Sequence, residues 1–478
     1  MTNLKTCIIG GGSSGMVACK KFKDAGLDFD CFEVSDQIGG NWAFKNSNGM
    51  SSAYRSLHIN TSKKQMEYKC FPMPKHYPDF PHHSKILKYF NDFVDHFDLR
   101  GDIQLNSKVE KVTKLDNGKW SVEVAGKKPK VYDAVVVANG HHWDPQYPDP
   151  GFPGEFSGQT IHSHHYIDPT DPLDFKGKRV CIVGMGNSAM DIACELGHPG
   201  NAEQVFLSVR RGTHILPKYF GSKPLDIFLR HPGDKPWFHE KIIPAGIAEK
   251  IGFWYVHHKV KKLVGEPHHF GLPKAGHRFG QTHPTISDEI HIRLGNGDVI
   301  PKTNISELSG DEVIFADGSR EKIDILIYAT GYKISFPFFA EDYVDAKAND
   351  VALYQRMISA DHPSLMFIGL VQPLCSIMPI AEVQAEWLAK FLKGQYHLPD
   401  YDVMKKQMIQ DHEEMKQRYV ASKRHTIQIN CQEYTFKLKE DLKLGHVRAA
   451  ARGYEPQLSA RIRRVARAET ANPILVES

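Results

Sequence analysis

A chain of 478 residues is too long for one small core, and 41% apolar with 24% charged residues is the composition of an ordinary globular protein, neither disordered nor fibrous. A net charge of +4 gives no general case for nucleic acid and leaves room only for a local basic patch. The eight cysteines, at 7, 19, 31, 70, 181, 194, 375 and 431, form no C-x-x-C pair. That scatter suits buried free thiols in a reducing compartment and excludes a disulfide reductase.

No apolar run approaches the roughly 18 residues of a spanning helix. The first apolar residues, Cys7, Ile8 and Ile9, run directly into glycines, which is not the form of a signal peptide. A cytoplasmic protein is expected.

Thr6 to Ile9 reads as a short apolar strand, followed by Gly10, Gly12 and Gly15 around Ser13 and Ser14, with a helical pattern from Met16 to Asp24. Glycines at this spacing permit a tight turn, so the helix N-terminus aims free N–H groups at a pyrophosphate. A second strand, Asp28 to Val34, carries Glu33, placed to accept the ribose hydroxyls of an adenosine half. These features predict a dinucleotide-binding unit without saying which dinucleotide.

Downstream stand Gly39-Gly40-Asn41-Trp42 and then Asn60-Thr61-Ser62-Lys63. This pairing resembles the flavoprotein monooxygenases, and the resemblance implies that the first dinucleotide is FAD. It also implies that Asn60 lies beside the reactive edge of the isoalloxazine and the bound nicotinamide, with Gly40, Asn41, Trp42 and Thr61 along the cofactor. Read alone, Asn60 is equally an Asx-turn residue.

The spacing of Ile86, Leu87, Phe90, Phe93, Val94 and Phe97 predicts a core-facing helix over 84–99. Residues 103–125 predict a hairpin turning at Asp116-Asn117-Gly118, and Val131 to Ala138 a buried strand. Four prolines between 145 and 153 then mark an interdomain connection.

Phe156-x-Gly158-x-x-x-His162-x-x-x-Tyr166 has the form of the class B flavin monooxygenase fingerprint. Tyr166 at the last position resembles the flavin-containing monooxygenases, whereas Trp there marks the Baeyer-Villiger enzymes. Arg179 to Val183 is again a strand, leading into Gly184, Gly186, Asn187, Ser188 and Ala189 and a helix to Leu196. A second dinucleotide site follows from this repeat of the pattern. The next strand, Gln204 to Val209, ends in Arg210-Arg211, where an NAD site usually presents an acid. Guanidinium groups there suit a 2′-phosphate, so NADPH is preferred with NADH possible; a solvated basic loop end is the alternative.

Residues 214–284 read as an insertion of helix and loop, and their histidine pairs match no metal-ligand spacing, so no metal is expected. Residues 289–315 predict short strands with a turn at Gly295-Asn296-Gly297. Asp324 to Ala329 is a buried strand ending in Ala329-Thr330-Gly331-Tyr332, which resembles the family's second crossing between domains. Leu365 to Pro373, with Gln372, and the helix 381–392 resemble the segment laid against the flavin pyrimidine. The arginines of the tail from 446 onward read as a solvated face.

The expected architecture is α/β, with two Rossmann-like doubly wound domains and the NADP domain inserted into a discontinuous FAD domain. The expected spans are 1–170 for the first FAD segment, 171–328 for the NADP domain, 329–445 for the return segment and 446–478 for the tail. The resemblance to flavin-containing monooxygenases implies an NADPH-dependent enzyme that forms a C4a-hydroperoxyflavin and passes one oxygen atom to a sulfide or amine of a small molecule. Rival readings are a Baeyer-Villiger oxygenase, an uncoupled NADPH oxidase and a non-enzymatic redox-sensing module. A homodimer without a membrane span is the expected assembly.

Overall fold

The computed structural model describes residues 4–232, 234, 245–346, 349–420 and 426–458. Two five-stranded parallel sheets organise them. The first orders its strands Leu365–Phe367, Ala134–Val137, Lys5–Ile9, Asp28–Phe32 and Ile103–Gln104. The second orders Gln159–His162, Ile325–Tyr328, Arg179–Val183, Gln204–Ser208 and Val299–Lys302. Parallel strands must be covered on both faces, and the central ones are accordingly apolar throughout: Ala134 to Val137 and Val180 to Val183 are all buried.

Every strand of the second sheet lies in the chain between Ala134–Val137 and Leu365–Phe367, so one Rossmann-like unit is inserted into the other. The second sheet starts at Gln159, which pairs with Ile325, ahead of the expected boundary at 170. The fingerprint stretch thus contributes a strand, Gln159–His162, to the second unit.

The Ser13–Asp24 and Ile377–Leu392 helices pack on the first sheet in one continuous core with Phe22, Tyr89, Phe90 and Trp387. The Cys431–Ala450 helix is fastened to it by a buried carboxylate. Asp441 accepts from Tyr354 Oη at 2.9 Å, Tyr396 Oη at 2.8 Å and Trp387 Nε1 at 3.2 Å.

Three expectations are corrected. Residues Ile290–Asn296 form a helix, not a strand: Ile290 and Leu294, one turn apart, are buried together, and Gly297 at φ 82° ends the helix where a hairpin turn was expected. The cysteines are not all free, because Cys375 and Cys431 are bonded across 56 residues. In the tail, Arg448 is docked rather than solvated, with its Nε donating to His397 O at 2.8 Å. Arg461, Arg463, Arg464 and Arg467 lie outside the described residues. Among the described residues no helix is long and apolar enough to cross a membrane.

Candidate active site

The first glycine loop closes as its spacing requires. The Ser13–Asp24 helix starts after Gly12 with no side chain bonded to its first N–H groups, leaving those donors for an anion. A Cβ on Gly15 would stand 1.8 Å from Gly10 O, so only glycine lets strand and helix approach this closely. Ser14 is buried in the same turn, and Ser13 O accepts from Tyr68 Oη at 2.6 Å.

Glu33 stands at the rim of this loop, 4% exposed. Its Oε2 accepts from Gly11 N at 2.5 Å and its Oε1 from Ser35 N at 2.8 Å. Burial pushes its pKa up, against the pull of these backbone donors. Each oxygen keeps a lone pair for a ribose hydroxyl.

Gly40, Asn41 and Trp42 make one 3₁₀ turn, with the Gly40 Cα opposite Gly12. The Asn41 side chain is already engaged, its Oδ1 accepting from Ser52 N at 2.7 Å and Ser52 Oγ at 2.9 Å. It therefore holds the next loop in place. Gln372 comes in from the return segment, its N–H donating to Ile427 O at 2.8 Å.

The second loop repeats the first. Gly186 precedes the Asn187–Leu196 helix, again with no side-chain cap, and Gly184 at φ 138° turns beneath Ala329 O. Asn187 Oδ1 accepts from Ile286 N at 2.9 Å, and Thr285 Oγ1 donates to Met185 O at 2.6 Å, so the 285–286 strand closes over this loop beside Ser188. Arg210 and Arg211 are exposed at the end of the adjoining strand, and neither forms an ion pair among the described residues. Their guanidinium groups are open to a phosphate.

The two units meet around Asn60. Its Oδ1 is buried without a hydrogen-bond partner. An acceptor in that state has room for a donor from a bound molecule or a water. Two residues on, past the half-buried Thr61, Ser62 N donates to Asp226 Oδ2 at 2.6 Å, while Asp226 Oδ1 is also buried and unpartnered. Burial raises the Asp226 pKa. Asp226 comes from the 214–284 insertion, where the sequence offers no pattern to single it out.

A cavity of about 450 Å³ opens beside this junction, lined by Tyr54, His58, Asp191, Glu195, Lys218 and Asp288. Tyr54 Oη donates to Asp191, whose pKa burial pushes up to about 6. Tyr166 is fully buried, and its Oη donates to Glu195 Oε2 at 2.8 Å. The last fingerprint position thus grips the far turns of the Asn187–Leu196 helix rather than its cofactor-facing end. His162 Nδ1 accepts from His164 N at 3.1 Å, and burial pushes its pKa down to about 4, so it is neutral.

Residues 3–444 match the family model described as flavin-binding monooxygenase-like. The chain belongs to this family. It is an FAD-dependent NADPH monooxygenase, in keeping with the two glycine loops and the open guanidinium groups. Over 443 residues this flavin monooxygenase is 40% identical to flavin-containing monooxygenase 5 of Oryctolagus cuniculus, covering 90% of this chain and 80% of that one. It is 36% identical to dimethylaniline monooxygenase [N-oxide-forming] 2 of Cavia porcellus over 445 residues, 90% of this chain and 81% of the relative. In structure it is similar to OTEMO in complex with FAD and NADP, with a TM-score of 0.67 at 17% identity, covering 93% of this chain and 98% of the other.

Among the described residues the histidines hold one arrangement their spacing does not announce. Glu266, His268 and His269 bring ligand atoms within 4.8 Å of one another, although Lys261 Nζ already pairs with Glu266 at 2.9 Å.

Proposed function

We propose that this flavin monooxygenase transfers one oxygen atom to a soft nucleophilic heteroatom, a sulfide sulfur or amine nitrogen, of a small molecule. The observation that carries the reading is Asn60, whose buried, unpartnered Oδ1 sits where the two dinucleotide units meet. The oxygen acceptor of one relative is an amine, since dimethylaniline monooxygenase is N-oxide-forming by name.

Bound FAD, reduced by NADPH, would supply the activation of O2. The residues of this chain position and shield it. Gly10, Gly12, Ser13, Ser14 and Gly15 would cradle the FAD pyrophosphate, Glu33 its ribose, and Gly40, Asn41, Trp42, Thr61 and Gln372 the remainder. Gly184, Gly186, Asn187 and Ser188 would take the NADP pyrophosphate, with Arg210 and Arg211 on its 2′-phosphate. FAD then belongs to the unit of the first sheet, in two segments on either side of the insertion, and NADP to the inserted unit that starts at Gln159, in a cytoplasmic homodimer.

Oxygen transfer to a heteroatom needs no nucleophile and base pair. It needs a dry site and fixed hydrogen bonds. The Asn60 amide offers both a donor and an acceptor, and the Asp226 carboxylate fixes the backbone at Ser62 beside it.

The test compares Asn60→Ala with the parent chain, measuring N-oxide from N,N-dimethylaniline and sulfoxide from a simple thioether per NADPH consumed. Retained flavin with a fall in product and a matching rise in hydrogen peroxide is expected. Unchanged coupling removes Asn60 from the site, and peroxide without any oxygenated product from the parent chain makes it an oxidase.

A further inference from the structure

The Cys375–Cys431 bond lies where two helices begin. Cys375 directly precedes Ser376, the N-cap of the Ile377–Leu392 helix, and Cys431 is the first residue of the Cys431–Ala450 helix, capped by Asn430. Both sulfurs therefore sit at the positive ends of helix dipoles. Cys375 N also donates toward Cys431 Sγ at 3.1 Å. These surroundings favour thiolates, and a disulfide whose reduced form is so stabilised is readily opened.

The bond also occupies a particular place in the fold. Cys375 follows the Gln372–Pro373 strand, the segment expected along the flavin, and that strand pairs with Gln428–Ile429 through only two residues. So short a ladder is weak by itself, and the sulfur bridge is the covalent tie between the flavin-side segment and the Cys431–Ala450 helix. Access differs between the two sulfurs: Cys375 is half-buried, whereas Cys431 is 2% exposed. Cys375 is the sulfur a small reagent reaches. The other six cysteines are unpaired, and five of them are buried.

We propose that Cys375 and Cys431 are a reversible thiol–disulfide site, closed by hydrogen peroxide and opened by small cellular thiols, that tightens the flavin-side segment when oxidised. In closing, the Cys375 thiolate attacks peroxide: an S–O bond forms, the O–O bond breaks and hydroxide leaves. The Cys431 thiolate then attacks that sulfur, the S–S bond forms and the oxygen departs as water after taking a proton. Two thiols and one peroxide give one disulfide and two waters, with two electrons passing from sulfur to oxygen. In opening, a small thiol attacks Cys375 to give a mixed disulfide, and a second thiol releases it as the free small disulfide. The proposal rests on the function above only for the source of peroxide: escape of activated oxygen from the flavin would close the bridge that limits further escape.

The test uses the full flavin-loaded chain. It is held in its native state with reduced glutathione, then with added hydrogen peroxide, and at each stage its thiols are alkylated and located by peptide mass spectrometry. Glutathione should expose Cys375 and Cys431 together, and peroxide should remove both labels. Without substrate, the reduced form should release peroxide at least twice as fast as the oxidised form. C375S/C431S should match the reduced form and ignore both reagents. A bond that opens only on unfolding, or labels that change with no change in peroxide release, overturns the proposal. The labelling is read on the parent chain with added peroxide, so failure of thioether or amine oxygenation would sink the proposed function and leave this result standing.

Discussion

Tyr54, six residues before Asn60, donates its hydroxyl to Asp191 on the helix that follows the second glycine loop. One hydrogen bond across 137 residues of chain thereby joins the segment leading to Asn60 to the helix expected to carry the nicotinamide dinucleotide. The bond has a pH dependence that follows from its burial. Burial raises the Asp191 pKa from 3.8 to about 6, with the Tyr54 donor pulling the other way. The folded protein therefore binds this proton more tightly than the unfolded chain does. The stabilisation is complete below pH 3.8 and is lost as pH rises through about 6. A shift of that size is worth up to about 3 kcal/mol. Asp191→Asn should flatten stability across this window, as read from urea unfolding midpoints at a series of pH values.

Tyr166 is expected to act through Glu195, not on a cofactor. Tyr166→Phe removes a donor to a half-buried carboxylate and should cost about 1 kcal/mol of stability. The Glu195 pKa, already raised by burial, should rise further without the Tyr166 hydroxyl. Differential scanning calorimetry checks the first, and an intact visible flavin spectrum shows that the first cleft is untouched.

Arg210 and Arg211 are open guanidinium groups at the end of the Gln204–Ser208 strand. Arg210→Ala and Arg211→Ala should each raise the KM for NADPH about tenfold, the equivalent of ~1.4 kcal/mol, and leave the KM for NADH unchanged. Equal effects on the two coenzymes would make them a solvated loop end.

Gly15→Ala places a methyl group 1.8 Å from Gly10 O, and the loop must move to admit it. The purified variant should lose its bound flavin while keeping its far-ultraviolet circular dichroism, because the change is confined to one turn.

Asp441 satisfies three buried donors at once. Asp441→Ala leaves them unpaired and should destabilise the protein by about 3 kcal/mol or more, seen as a lower urea midpoint.

The sequence alone determined both dinucleotide units, their order and the family they resemble. The cause is local: strand, glycine turn, helix and acidic or basic strand end fall within about thirty residues, and close approach admits only glycine there. Asn60 was singled out by family resemblance, from its place in a short run with Thr61 and Ser62. The helix at Ile290–Asn296 was misread because Gly295-Asn296-Gly297 serves equally as a hairpin turn or a helix end, and packing of Ile290 and Leu294 chose between them. Tertiary structure alone decided which distant groups meet: Ser62 with Asp226 across 164 residues, Tyr166 with Glu195, and Cys375 with Cys431. No local periodicity encodes such pairs, because each partner's own neighbourhood is an ordinary loop or helix, and only tertiary packing, within a unit or between the two, brings them into contact.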